Sequence, residues 1–112
     1  MKVNRIPHGA ATVLEVSGKV MSNNDLDILK DEVRTVIDGG SPHVVLDLAG
    51  VPWVNSTGLG ILITIHHSLK AADGTLRICG LSERVLSIFQ VSRLERVFDV
   101  YPDRDKALAG RA

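Results

Sequence analysis

The chain has 112 residues, and its 13 basic and 13 acidic side chains give a formal net charge of zero. Because lysine and arginine are not in excess, we expect neither nonspecific binding to nucleic acid nor electrostatic attachment to a membrane surface. This length suits one hydrophobic core, so we predict a single domain over residues 1–112.

The first third of the chain predicts two strands and a helix. "KVNRI" and "ATVLEVSG" are rich in strand-forming residues, and "PHG" between them predicts a tight turn. From residue 23 the apolar residues recur at helical spacing, so we predict a helix with Asn23 or Asn24 as its N-cap. The pair Gly39-Gly40 predicts its end. The apolar positions of this helix are Leu26, Leu29, Val33, Val36 and Ile37.

The middle of the chain repeats the alternation of strand and helix. The apolar run from His43 to Leu48 is typical of a buried strand, and "AGVPW" after it reads as a turn. A helix is predicted from about Ser56 to Ala71, followed by a strand at "TLRICG".

The last third predicts a helix, a strand and a final helix. "SERVLSIFQ" has Ser82 in a favourable N-cap position, and "RVFDVY" is predicted to be a strand. Pro102 is predicted to start the terminal helix. The whole order is ββαβαβαβα. It predicts an α/β fold of four to five strands in a mainly parallel sheet, with an antiparallel N-terminal edge strand and about four helices.

The junction "VNSTGLG" is the main candidate for chemistry. It follows the His43–Leu48 strand and opens the next helix, and sites in open α/β sheets gather at the carboxyl ends of strands. The first turn of a helix offers unpaired N–H groups and the positive end of the helix dipole, so a phosphate on Ser56 would meet a favourable environment. Gly58 and Gly60 leave the approach to this turn open, although glycines also allow close packing of the helix on the sheet. The alternative is that Asn55, Ser56 or Thr57 only caps the helix.

The order of elements and the stretch from "HVVLDLAGVPWVNSTGLG" to "RVFDVYPDRDKAL" resemble the STAS family, in particular bacterial anti-sigma factor antagonists. The resemblance covers roughly Val3 to Leu108. In that family the junction usually reads Asp-Ser-Ser/Thr-Gly, and the serine after the acidic residue is phosphorylated. By position that serine is Ser56, whereas Asn55 replaces the acidic residue. Asparagine can still cap the helix but cannot supply negative charge to a kinase.

The resemblance also implies partners. The unphosphorylated protein would bind an anti-sigma factor, often a GHKL-type serine kinase, and so release a sigma factor. Phosphorylation of Ser56 would end the association, and a PPM-type serine phosphatase would restore it. Asn55 and Thr57 would frame the phosphorylated serine, and Gly58 would allow close approach of the partner. A constitutive STAS scaffold in a transport or signalling assembly, not phosphorylated, is the alternative function.

The helix after the junction offers a candidate docking surface. At 100° per residue, one stripe is the core face, and a neighbouring stripe beside Ser56 contains Leu59 and Ile63. These two side chains either widen the core face or form an apolar patch for a partner. The core stripe consists of Ile61, Leu62, Ile65 and Leu69.

Other chemistry is not supported by the sequence. Cys79 is the only cysteine and His66-His67 point to different sides of a helix, so we expect no metal site. "GLGI" is too short for a dinucleotide fingerprint and no P-loop is present, so we expect no cofactor. Without a G-x-S-x-G elbow we expect no enzyme. With no signal peptide and no membrane-spanning run, we expect a cytoplasmic protein.

Overall fold

A computed structural model describes residues 1–20 and 22–110. Five strands form one sheet in the order β1-β2-β3-β4-β5, in which β1 is antiparallel to β2 and the other pairs are parallel. The predicted α/β fold and order of elements are confirmed. The strands are β1 (Lys2–His8), β2 (Ala11–Ser17), β3 (His43–Gly50), β4 (Thr75–Cys79) and β5 (Asp99–Tyr101), and the helices are α1 (Asn23–Asp38), α2 (Ser56–Ala71), α3 (Glu83–Val91) and α4 (Arg104–Ala109).

The hairpin turn lies later than the sequence predicted. Pro7 and His8 belong to β1, where Pro7 pairs with Thr12, and the turn is at Gly9–Ala10. Proline is tolerated because β1 is an edge strand, in which one row of N–H groups has no partner strand. Gly9 has φ +60°, which glycine adopts without steric cost.

The predicted cap of α1 is wrong by one or two residues. Ser22 is the N-cap, and Asn23 is the first residue of the helix. The Asp25 N–H donates to Ser22 Oγ at 3.2 Å, and the Ser22 N–H donates to Asp25 Oδ2 at 3.0 Å. This reciprocal capping box satisfies two N–H groups, which an asparagine at position 23 or 24 would not do.

The predicted strand "RVFDVY" is too long. Leu94–Arg96 forms a short 3₁₀ helix, and only Asp99–Tyr101 joins the sheet. Pro102 does not start α4, because Asp103 is the N-cap and accepts the Lys106 N–H at 2.9 Å. The predicted cap of α3 is confirmed, since Ser82 Oγ accepts the Val85 N–H at 3.2 Å.

The two faces of the sheet are covered unequally. One face carries Leu14, Leu46 and Ile78 and packs against α1, α2 and α3 in the larger core. The other face carries Val13, Val45, Cys79 and Tyr101, and α4 covers it through Ala107. Burial, together with the nearby charge of Asp47, raises the pKa of the Cys79 thiol to about 12. Cys79 is therefore a neutral core residue and not a nucleophile.

Arg104 ties α4 to the neighbouring strands β2 and β3. Its Nε and Nη2 atoms donate to Asp47 Oδ2 at 3.0 and 2.8 Å, and Nη2 also contacts the Glu15 carboxylate. Glu15 and Asp47 are neighbours in the register of β2 and β3. The hydrogen bond from Arg104 holds the pKa of Glu15 below its usual value. Asp47 Oδ1 accepts the Ala49 N–H at 3.0 Å, so the same cluster fixes the end of β3 that leads to α2.

Candidate functional site

The junction before α2 lies at the carboxyl end of β3, the central strand of the sheet. β3 extends to Gly50, two residues beyond the predicted end, and a short loop leads to the helix. A parallel bridge between Val54 and Val20 ties this loop to the segment between β2 and α1. α2 runs from Ser56 to Ala71, as predicted.

Asn55 caps α2. Its side-chain Oδ1 accepts the Gly58 N–H at 2.8 Å, while its backbone carbonyl accepts the Leu59 N–H at 3.0 Å. Asn55 is half-buried, whereas Ser56 and Thr57 are exposed. Of the three candidates for the cap, Asn55 is therefore the one that caps the helix, and Ser56 is exposed at the first helical position.

Removal of the Asn55 side chain tests this assignment. We expect Asn55→Ala to lower the free energy of unfolding by about 1 kcal/mol, because the Gly58 N–H loses its acceptor. Asn55→Asp keeps the acceptor and adds charge at the positive end of the helix dipole, so it should not be destabilising at neutral pH. Urea denaturation measures both. Equal losses for the two variants would contradict a capping role.

Gly58 is buried against the neighbouring chain segment. A methyl group at its α-carbon would lie 2.1 Å from the carbonyl oxygen of Val20, and 3.2 Å from the Val54 Cβ. At Gly60, two residues later, the same methyl group would meet no atom within 4 Å. Packing therefore explains the glycine at position 58. Its role beside a bound partner stays a prediction, as does that of Thr57.

The two stripes of α2 differ in burial as their sequence positions indicate. The predicted core stripe of Ile61, Leu62, Ile65 and Leu69 is buried. Leu59 and Ile63 are half-buried and pack against the edge of the larger core. They thus widen the core face, as one interpretation predicted, and leave part of each side chain accessible near Ser56. Their contact with a partner stays a prediction.

His66, on the same side of α2 as Ile63, has a packing role. Its ring meets Phe98 edge-on, with ring centroids 5.3 Å apart. Burial, together with the charges of Lys70 and His67, lowers the pKa of His66, so the neutral ring is favoured. The described part of the chain contains no group of three or more His, Cys, Asp or Glu side chains placed to hold a metal ion.

Two structural features near the site were not predicted from the sequence. The contact between Gly58 and Val20 joins residues far apart in the chain, and no local pattern indicates it. The capping box of Ser22 had a signal, because a serine followed three residues later by an acidic residue is typical of a helix start. Ser22 and Asn55 begin helices after neighbouring strands, so the N-termini of α1 and α2 share one edge of the sheet.

Among residues 1–20 and 22–110, every helix is too short or too polar to span a lipid bilayer. Fold and site together define a small α/β domain with a mixed sheet and an exposed serine at the carboxyl end of its central strand. The family model described as STAS domain matches residues 2–107, and the chain belongs to the STAS domain family.

Relatives by sequence extend this assignment. BtrV of Bordetella bronchiseptica is 29% identical over 90 residues, which cover 80% of this chain and 78% of BtrV. The anti-sigma-B factor antagonist of Bacillus subtilis is 32% identical over 73 residues, which cover 65% of this chain and 66% of that protein.

Solved structures share the fold. An anti-sigma factor antagonist from Mycobacterium paratuberculosis has a TM-score of 0.82 at 24% identity, covering 97% of this chain and 92% of that one. SpoIIAA of Bacillus in its phosphorylated form has a TM-score of 0.70 at 15% identity, with coverage of 96% and 97%. A sulfate transporter family protein from Wolinella succinogenes has a TM-score of 0.79 at 22% identity, with coverage of 93% and 86%.

Proposed function

We propose that this chain is a non-enzymatic anti-sigma factor antagonist controlled by phosphorylation of Ser56. In the unphosphorylated form it binds an anti-sigma factor of the GHKL serine kinase type. The kinase transfers phosphate from ATP to the Ser56 hydroxyl and the complex dissociates, and a PPM-type phosphatase hydrolyses the phosphoserine. Because the sigma factor acts in transcription, we expect the protein to work in the bacterial cytoplasm.

The exposure of Ser56 at the first position of α2 carries this proposal. The N-cap position is filled by Asn55, so modification of Ser56 removes no capping hydrogen bond. A phosphate adds about −1.5 to −2 of charge at neutral pH. The positive end of the helix dipole favours that charge, and the fold can therefore accept it.

The direction of the switch follows from desolvation. A phosphate that was buried in a protein interface would lose its hydration, and without a cationic partner that loss opposes binding. The unphosphorylated serine carries no such cost. The Bacillus subtilis relative named as an anti-sigma-B factor antagonist supports the class of partner. The phosphorylated SpoIIAA structure supports the compatibility of this fold with a phosphate.

The proposed docking surface surrounds Ser56. Thr57 is exposed next to it, and Leu59 and Ile63 follow along the adjacent stripe of α2 with part of their apolar surface accessible. Asn55 borders the serine on the other side. A partner that covers this stripe would bury the Ser56 hydroxyl, so the same contact would both supply affinity and sense the phosphate.

Phosphate mapping tests the proposed site. We expect incubation with the cognate serine kinase and ATP to add one phosphate, which peptide mass spectrometry places on Ser56. Ser56→Ala should take up none, whereas Thr57→Ala should be modified like the unchanged protein. A phosphate on Thr57 or elsewhere, or no phosphate from a kinase that binds the chain, would contradict the proposal.

A constitutive scaffold is the second candidate. The same fold occurs in the sulfate transporter family protein from Wolinella succinogenes, and Asn55 stands where the antagonist motif usually has an acidic residue. A scaffold would bind its partner whether or not Ser56 carried a charge. Partner affinity of Ser56 variants therefore separates the two functions.

A further inference from the structure

A cleft of about 310 Å³ lies at the opposite end of the sheet from Ser56. It is bordered by the β1–β2 hairpin, the first residues of β3 and β4, and α4. The cleft borders His43 at the start of β3, whereas Gly50 ends β3 on the side of Ser56. The seven-residue separation along the strand corresponds to roughly 23 Å. The lining residues are His8, Ala10, Ala11, His43, Thr75, Arg77 and Leu108.

The polar groups of this cleft are one guanidinium, two imidazoles and one hydroxyl. Arginine presents planar N–H donors that match the oxygens of a carboxylate or phosphate, and histidine and threonine add further donors. Among the described residues, none that lines the cleft is acidic. The chain as a whole is neutral, so this local set of donors does not follow from a generally basic surface.

These donors are held by the fold. His43 and Thr75 are paired in the register of β3 and β4, and His43 Nδ1 lies 2.9 Å from Thr75 Oγ1. When Nδ1 accepts the threonine proton, Nε2 of the ring is left as a donor. Arg77 Nη1 donates to the Ala107 carbonyl at 3.2 Å, which orients the guanidinium against the C-terminal end of α4. Three of the four groups are thus half-buried on strands.

We propose that this cleft binds a small oxyanion, a phosphate or a carboxylate. Its volume lies at the lower end of the range of ligand sites, so the ligand is the size of a metabolite and not of a polymer. Arg77 would carry the charge of the contact, and His43 Nε2–H would supply a directional hydrogen bond, while the Thr75 hydroxyl fixes the orientation of the His43 ring. Ala11 and Leu108 give the cleft an apolar border. The site is separate from Ser56, and its existence does not depend on the phosphorylation switch.

An NMR titration of the full ¹⁵N-labelled chain tests the site. Inorganic phosphate and acetate are added separately, with sodium chloride at matched ionic strength as the reference. We expect at least one of the two anions to cause saturable shifts at Ala10, Ala11, His43 and Thr75. Stronger binding of phosphate would assign a phosphoryl ligand, and stronger binding of acetate would assign a carboxylate.

Substitution of Ala10 at the rim of the cleft gives a second test, with a matched uncharged control. Ala10 is exposed in the hairpin turn, so its replacement removes no core contact. Ala10→Glu should weaken anion binding by about tenfold through charge repulsion, whereas Ala10→Gln, of similar size, should stay within about twofold of the unchanged chain. Shifts that do not saturate with either anion, or equal binding by the two variants, would overturn the proposal.

Discussion

Ser56→Asp is expected to lower the affinity for the anti-sigma factor by about 100-fold, which corresponds to about 2.7 kcal/mol. The reason is that the carboxylate must lose its hydration when the partner covers the start of α2. Ser56→Ala carries no charge and should bind within about threefold of the unchanged chain. Isothermal titration calorimetry with the purified anti-sigma factor measures all three affinities.

Thermal unfolding checks separately that the Ser56 variants are folded. An acidic side chain at the first position of a helix is favoured by the dipole, so thermal unfolding of Ser56→Asp should occur no lower than that of the unchanged chain. Ser41→Asp serves as the matched charge control, because Ser41 is exposed at the opposite end of β3. It should not alter affinity. If Ser56→Asp and Ser56→Ala both bind like the unchanged chain, the scaffold function is favoured over the switch.

Gly58→Ala is expected to destabilise the fold by about 3 kcal/mol, the upper end of typical overpacking costs. The added methyl group would lie 2.1 Å from the Val20 carbonyl oxygen, so α2 or the segment after β2 must move. The carbonyl is backbone and cannot turn away as a flexible side chain could. The change would also shift the helix start on which Ser56 is presented.

Gly60→Ala is the matched control for this substitution. It makes the same chemical change in the same helix, but its methyl group would have no atom within 4 Å. Alanine is favoured over glycine inside a helix by about 1 kcal/mol, so Gly60→Ala should be stabilising. Urea denaturation midpoints measure the difference. Similar stabilities of the two variants would show that the Gly58 contact relaxes at no cost.

The order of elements could be predicted because it follows from local periodicity. The bounds of α2 and the Ser82 cap of α3 agree with the sequence, since each depends on residues within one or two helical turns. The short β5 could not be predicted. Its residues resemble a longer strand, but Arg93 adopts φ +59° and the chain forms a 3₁₀ turn before it reaches the sheet.

Long-range contacts account for what the sequence left unresolved. Arg104 bonds to Asp47 and Glu15, which are 57 and 89 residues away in the chain. No spacing rule indicates such a cluster. The close contact between Gly58 and Val20 is of the same kind. The sequence allowed either partner approach or close packing as the reason for this glycine, and the contact supplies the packing reason.

One part of the candidate site was predictable from local chemistry and another part from the family resemblance. Local chemistry indicated a helix start that could bear a phosphate, but did not distinguish Asn55, Ser56 and Thr57. The family resemblance selected Ser56, and the structure gives the cap to Asn55 and leaves Ser56 exposed. Why Asn55 replaces the usual acidic residue is not explained by capping, because aspartate would cap equally well.

The unequal covering of the sheet has a practical consequence for protein handling. α4 is only six residues long, yet it shields one face of the sheet and supplies the cation between Glu15 and Asp47. Proteolytic loss of this helix would leave the carboxylates of Glu15 and Asp47 side by side without their arginine. It would also expose the apolar residues beneath α4 to water. An insertion immediately after Ala109 would therefore compete with the docking of α4.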